Sequence, residues 1–228
     1  MVKNHLSRLN APKSWPIRKK GIKFIKRPNS GAHSLRQCIS LSLVLNILIK
    51  QTRTNKEVKK VLNERKILVN GKVRKDPAFS VGIMDIITIP IINKSFRLFY
   101  NTKGKFEAIE LKDTESELLP LQIVDKTLLS KGRVQLNYFN GYTTIIEKDI
   151  YSVGDTLVLS VKDKSVKNHF ELKKGMTIYL TGGKQVGKVG KLEEIKDKNV
   201  VIKTKEDSFE TAKRYAFAIG DMSANIEK

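Results

Sequence analysis

Apolar and polar positions change their spacing several times along the chain, and each change marks an element. Between Leu35 and Ile49, the residues Ile39, Leu43 and Ile47 recur at helical spacing, with Leu41, Leu45 and Leu48 beside them, so this run predicts a helix. Thr54-Asn55-Lys56-Glu57 then matches a capping box, with Thr54 as N-cap and Glu57 at the third helical position. The helix it opens turns Val58, Val61 and Leu62 inward and leaves Lys59, Lys60 and Arg65 outward. In Ile67-Leu68-Val69-Asn70-Gly71-Lys72-Val73-Arg74, Asn-Gly stands between two short β-prone runs. This is the sequence form of a type I′ hairpin, whose two central residues both need positive φ. After Gly82-Ile83-Met84-Asp85, Ile86 to Ile89 predicts a further strand.

Residues 91–170 change to short β-prone runs: Phe96 to Tyr100, Lys105 to Leu111, Arg133 to Tyr138, Thr143 to Ile146 and Thr156 to Ser160. Thr102-Lys103-Gly104, Asn140-Gly141 and Val153-Gly154-Asp155 separate them, which is the cadence of a small β-barrel or sandwich. Residues 171–228 hold a glycine-rich loop and a strand at Val200 to Thr204. Gly182 to Lys188 fits G-x-x-x-x-G-K, but a nucleotide loop of that form needs Ser or Thr next, for Mg²⁺, and then a helix. Position 189 is Val and a strand follows, so these glycines are read as tight turns between barrel strands. The expected fold class is α+β and multi-domain: an arm at 1–34, two helices on a small sheet at 35–90, a β-barrel-like central domain at 91–170 and a small β-barrel at 171–228.

Charge changes the picture most. The chain carries 44 Lys+Arg against 23 Asp+Glu, a formal net charge of +21, and its first acid is Glu57. Before it stand Lys3, Arg8, Lys13, Arg18, Lys19, Lys20, Lys23, Lys26, Arg27, Arg36, Lys50, Arg53 and Lys56. Such a segment repels itself unless a polyanion neutralises it, with counterion release supplying the free energy. Nucleic acid is the leading partner and an anionic membrane surface the second. Trp15, Ile17, Ile22, Phe24 and Ile25 are interleaved with the charges, which suits an arm that is disordered when free and ordered on RNA, with Trp15 stacked on a base or packed into a groove.

Other chemistry is thin. Cys38 is the one cysteine, so no intramolecular disulfide forms, and it reads as a small buried hydrophobe. His5, His33 and His169 lack metal-ligand spacing, and no metal or cofactor is expected. The longest apolar run, Cys38 to Ile49, is short of the ~20 residues that span a bilayer. Basic residues continue past Arg27 before any apolar run begins, which is not a signal-peptide layout. A soluble intracellular protein with no membrane partner is expected. Acids such as Glu115 and Glu117 read as solvated groups, so neither an enzyme nor a small-molecule substrate is expected.

Several stretches resemble known families. The capped helix through Val61-Leu62, the hairpin Ile67 to Lys75 and the strand Gly82 to Ile89 resemble the alpha-L RNA-binding motif of ribosomal proteins, pseudouridine synthases and tyrosyl-tRNA synthetases. There the second helix and the hairpin edge face RNA, which implies roles for Lys59, Lys60, Arg65, Lys72, Arg74 and Lys75. Gly182, Gly183, Gly187 and Gly190 resemble a KOW motif, which would put Lys184 and Lys188 on an exposed RNA-facing loop. His5 to Ile17 with its Ala11-Pro12-Lys13-Ser14-Trp15 core, Ser95 to Phe106, Thr181 to Gly190 and Tyr215 to Gly220 extend the likeness over the whole chain. It resembles the archaeal/eukaryotic type of small-subunit ribosomal protein four, departing at Ser7 and Asn10. That resemblance implies a cytoplasmic, non-catalytic constituent of the small ribosomal subunit. Its partners would be small-subunit rRNA, held by the arm cations as well, and neighbouring small-subunit ribosomal proteins. The alternative is a non-ribosomal RNA-binding factor, either a KOW-type elongation factor or an RNA-modification accessory protein.

Overall fold

The computed structural model describes residues 5–204 and 207–220, and strands dominate it. Lys3, expected among the RNA-binding residues, lies outside the described residues. Two compact units emerge: one runs to Tyr100 and resumes over Gly104–Ser116, the other takes Asn101–Lys103 and continues from Glu117.

The strands of the first unit are β1 (His5–Ser7), β2 (Phe24–Lys26), β3 (Cys38–Ser40), β4 (Leu68–Val69), β5 (Lys72–Val73), β6 (Ser80–Gly82), β7 (Ile86–Ile89), β8 (Lys94–Tyr100) and β9 (Phe106–Leu111). Its helices are α1 (Leu41–Leu43), α2 (Asn55–Asn63) and α3 (Asp113–Ser116). β5-β4-β7-β8-β9 form one sheet, and β1-β2 and β3-β6 form two-stranded ribbons. Because β7 and β8 pair with Ile87 opposite Phe96, the division expected between 90 and 91 falls inside a sheet.

The helix expected over Leu35 to Ile49 is corrected. Cys38–Ser40 is strand, only Leu41–Leu43 is α-helical, and Val44–Leu48 is a π-helical turn closed by Ile49 N–H donating to the Val44 carbonyl at 2.9 Å. A near-continuous apolar run does not distinguish strand from helix by period. Here pairing of Ile39 with Val81, both fully buried, decides the first part. Tertiary packing overrides a local preference worth only tenths of a kcal/mol, roughly, per residue.

The second helix forms where its cap dictates. The Thr54 hydroxyl accepts from Glu57 N–H at 3.2 Å, and the Glu57 carboxylate accepts from Arg53 N–H at 2.8 Å. Thr54→Ala is expected to cost about 1 kcal/mol, read as a lower urea midpoint of the first unit. Glu57 adds a pH dependence. The Arg53 N–H bond, and then the Thr54 hydroxyl, hold its carboxyl below the ordinary 4.5. The cap's stabilisation is therefore present above the unfolded value and is lost as pH falls through the lowered folded one.

The described strands of the second unit all pair antiparallel. β10 (Leu118–Leu128), β11 (Val134–Tyr138), β12 (Thr143–Ile146), β13 (Thr156–Ser160) and β14 (Val166–Phe170) make a sheet in the order β12-β11-β10-β13-β14. β15 (Thr177–Leu180), β16 (Val189–Lys196), β17 (Asn199–Lys203), β18 (Ser208–Ala212) and β19 (Ala216–Ala218) make another in the order β18-β17-β16-β15-β19. Buried Gln122 ties the two together, its amide donating to the carbonyls of Gly154 at 3.2 Å and Ala216 at 2.6 Å. Phe139 meets Phe217 edge to face at 5.5 Å. Residues 91–170 and 171–228, expected as separate domains, thus share packing through these groups.

Candidate nucleic-acid interface

Trp15, expected to stack on RNA, is corrected: it is 1% exposed and its indole N–H donates to the Cys38 carbonyl at 2.7 Å. A large ring with a single donor gains most where the ring is buried and the donor satisfied, and Trp15 has both. Its neighbour Ser14 donates its hydroxyl to the Arg36 carbonyl at 3.3 Å, and the Ser14 carbonyl accepts from Phe106 N–H at 2.8 Å. These bonds fasten the arm to the rest of the first unit. Arg8 serves this packing rather than solvent: its guanidinium donates to the carbonyls of Ile22 at 2.9 Å and Arg18 at 3.0 Å, closing the intervening loop. The Lys19 ammonium bonds the Ala11 carbonyl at 3.0 Å. Lys13, Arg18, Lys20, Lys23, Lys26 and Arg36 are exposed around this anchored frame, and Arg27 is half-buried.

The alpha-L segment presents its cations as its periodicity requires. Val58 and Leu62 are buried, while Arg53, Lys56, Lys59, Lys60 and Arg65 are exposed. The hairpin turns at Asn70 and Gly71, with φ of 49° and 76°, and displays Lys72 and Lys75; Arg74 is half-buried, 4.3 Å over the Phe79 ring. A buried carboxylate fixes this turn. Asp85, 3% exposed, accepts from Gly82 N–H at 2.8 Å and from the Asn70 amide at 2.7 Å, and meets the His33 ring nitrogen at 3.1 Å. Asn70 in turn accepts from Ile86 N–H at 2.8 Å. Sequence reasoning missed this network, because His33 and Asp85 stand 52 residues apart.

Most of the ion-paired acids are matched away from these cations, although Glu64 at the end of α2 pairs with Lys66. Lys94–Glu110, Lys126–Asp149, Lys162–Glu117, Lys173–Glu171, Lys196–Glu210 and Lys203–Glu193 are ion pairs, whereas Lys13, Arg18, Lys20, Lys26, Lys59, Lys60, Arg65 and Lys75 join none among the described residues. The surface of the first unit is thus left electropositive at the arm and α2.

In the second unit, the loop from Thr181 to Lys188 joins two antiparallel strands, and β16 rather than a helix follows it. A Cβ at Gly182 would lie 2.5 Å from the Tyr215 ring, so only glycine fits that approach. Lys184 is exposed; Lys188 is half-buried and its carbonyl accepts from Leu180 N–H at 3.0 Å.

Burial pushes the Cys38 thiol up to about 11, so it stays protonated near neutrality. The Arg97 guanidinium, also buried, is lowered to about 10 and remains charged, donating to the Glu115 carbonyl at 3.1 Å. Among the described residues no cluster of three or more His, Cys, Asp or Glu could hold a metal ion, and no helix is long and apolar enough to cross a membrane.

Comparison with known proteins gives the family. Residues 2–36 match the RS4NT (NUC023) domain, 53–87 the S4 domain and 92–166 the ribosomal family S4e. The small ribosomal subunit protein eS4 of Methanocella arvoryzae is 39% identical, covering 100% of this chain and 98% of that protein. That of Methanocaldococcus jannaschii is 36% identical, covering 96% and 95%. The crystal structure of the 30S ribosomal protein S4e from Thermoplasma acidophilum superposes with a TM-score of 0.71 at 26% identity, over 83% of this chain and 98% of that one. With whole-length identity at this level and the S4 domain in place, the chain belongs to the eS4 family of small ribosomal subunit proteins.

Proposed function

We propose that this chain is a structural constituent of the small ribosomal subunit and grips small-subunit rRNA by neutralising phosphates between RNA helices. The observation that carries the reading is the set of unmatched cations on the arm and α2, in a unit whose alpha-L segment matches the S4 domain. Lys13, Arg18, Lys20, Lys23, Lys26, Lys59, Lys60, Arg65, Lys72 and Lys75 are assigned to phosphate contact. Arg8 and Trp15 are assigned to holding the arm in shape. Residues 171–228 are read as a KOW-type small barrel whose loop brings Lys184 and Lys188 to the backbone. Specificity comes from RNA shape, because phosphate contacts position a protein without reading bases. The remaining partners are neighbouring small-subunit proteins, and the site of action is the cytoplasmic ribosome. No catalytic group, cofactor or small-molecule substrate enters this reading.

The test is salt dependence. Replacing Lys59, Lys60 and Arg65 together by alanine should weaken binding to a small-subunit rRNA transcript and reduce the log–log salt slope by about 2–3 units, roughly 0.7–0.9 per phosphate contact. An unchanged slope removes α2 from the interface. Wild-type chain should also stay in the small-subunit peak of a sucrose gradient after a high-salt wash. Migration with RNA polymerase instead would favour the elongation-factor reading.

A further inference from the structure

The sequence points to Trp15 as the arm's base-stacking group, yet the structure buries it. Two other rings face outward. In the β1–β2 ribbon Leu6 stands opposite Ile25, and this pair turns inward, with Ile25 8% exposed. Strand alternation then puts the flanking pairs, Ser7 with Phe24 and His5 with Lys26, on the opposite, outward face. Phe24 is 47% exposed, and the His5 ring meets it edge to face with centroids 5.0 Å apart. The Lys23 ammonium lies 5.5 Å from the Phe24 centroid.

We propose that this outward face, Phe24 and His5 edged by Lys23 and Lys26, is a stacking platform for an unpaired nucleotide of RNA. The proposal rests on the RNA-binding reading above and adds to it a site that takes a base rather than a phosphate alone. Aromatic rings interleaved with cations are what single-stranded RNA needs: every base offers a π-face, and the adjoining phosphates need positive charge. A base settling on Phe24 takes the place of the Lys23 ammonium over the ring, and that ammonium then reaches the neighbouring phosphate. Charge selects this occupant over an apolar side chain of a protein, since no carboxylate occurs anywhere in the first 56 residues to balance the flanking lysines. Alternation also explains the chain's economy: the apolar face of the ribbon fastens it to the unit, and the ring-bearing face remains available.

The experiment measures binding of the full chain to a fluorescently labelled small-subunit rRNA transcript across a salt series, for wild type, Phe24→Leu and Phe24→Trp. Leucine keeps apolar bulk and removes the π-face. The expected result for Phe24→Leu is a roughly five- to hundredfold loss of affinity with an unchanged salt slope, since no charge is removed. Phe24→Trp should restore binding. Unchanged Trp15 emission in Phe24→Leu verifies that the arm is still folded. Wild-type affinity in Phe24→Leu overturns the platform, as does a loss that Phe24→Trp fails to restore. Normal rRNA binding by Phe24→Leu with poorer retention in assembled particles also overturns it, and assigns the face to a protein neighbour. If wild type itself binds without salt dependence, the RNA-binding reading fails instead.

Discussion

Replacing Trp15 with alanine is expected to destabilise the first unit of the free protein by about 3–5 kcal/mol. The side chain is 1% exposed, so its removal opens a cavity the size of an indole, and the Cys38 carbonyl loses its donor. Neither loss is made good locally, because Ser14 beside it is tied through its hydroxyl to the Arg36 carbonyl and through its carbonyl to Phe106 N–H, which fixes the path of the arm. Circular dichroism in urea reads the effect. Trp15 is the chain's one tryptophan, so wild-type emission supplies an independent check. It should be blue-shifted in the free protein and move red in step with the unfolding of the first unit. Limited proteolysis should cut the variant within residues 5–34 and spare the wild type. Equal unfolding midpoints for the two proteins would mean that the arm detaches in solution and that its packing supplies no stability.

Asp85→Ala is expected to cost several kcal/mol, roughly 1–3 for each buried donor left unpaired. The carboxylate is buried against three donors or potential donors, Gly82 N–H, the Asn70 amide and the His33 ring. Alanine leaves all of them without their partner. Asp85→Asn keeps the shape but must turn an amide N–H₂ toward one of those donors, and should cost roughly 1–3 kcal/mol. Because Asn70 also accepts from Ile86 N–H, the damage should spread to the hairpin that displays Lys72. Faster amide exchange at Gly82 and Ile86, with a lower thermal midpoint, would report it. Wild-type exchange rates at both amides in Asp85→Ala would show that the carboxylate is dispensable.

Where a few adjacent residues carry the instruction, the sequence was readable. Thr54 to Glu57 starts α2 as its capping box requires, and Asn70-Gly71 turns the hairpin with both φ values positive. Thr143–Ile146 and Thr156–Ser160 are strands at the expected bounds, set by Asn140-Gly141 and Gly154 before them. The longest strand among the described residues is not legible in the sequence. Leu118–Leu128 opens as an apolar run without alternation and contains Pro120. Proline is tolerated there because residues 118–122 pair with β13 alone, and pairing with β11 begins at Ile123. The candidate site divided along the same line. Cations on α2 followed from helix period, whereas the duties of Trp15, Arg8 and His33 depend on partners between 10 and 52 residues away. No local spacing records such partners, and an indole among lysines reads the same whether it meets a base or a core.

The last strand among the described residues of the second unit, Ala216–Ala218, is held by β15, by the Gln122 amide at Ala216 and by the Phe139 ring at Phe217. Unit one is complete once Ser116 has been made. A growing chain therefore finishes its positively charged half about 5–20 s before its other half can close, at the usual pace of synthesis. The more positively charged half is ready while the half with the smaller net charge still waits for its last described strand. The order of synthesis is thereby also an order of folding, from the first unit to the second.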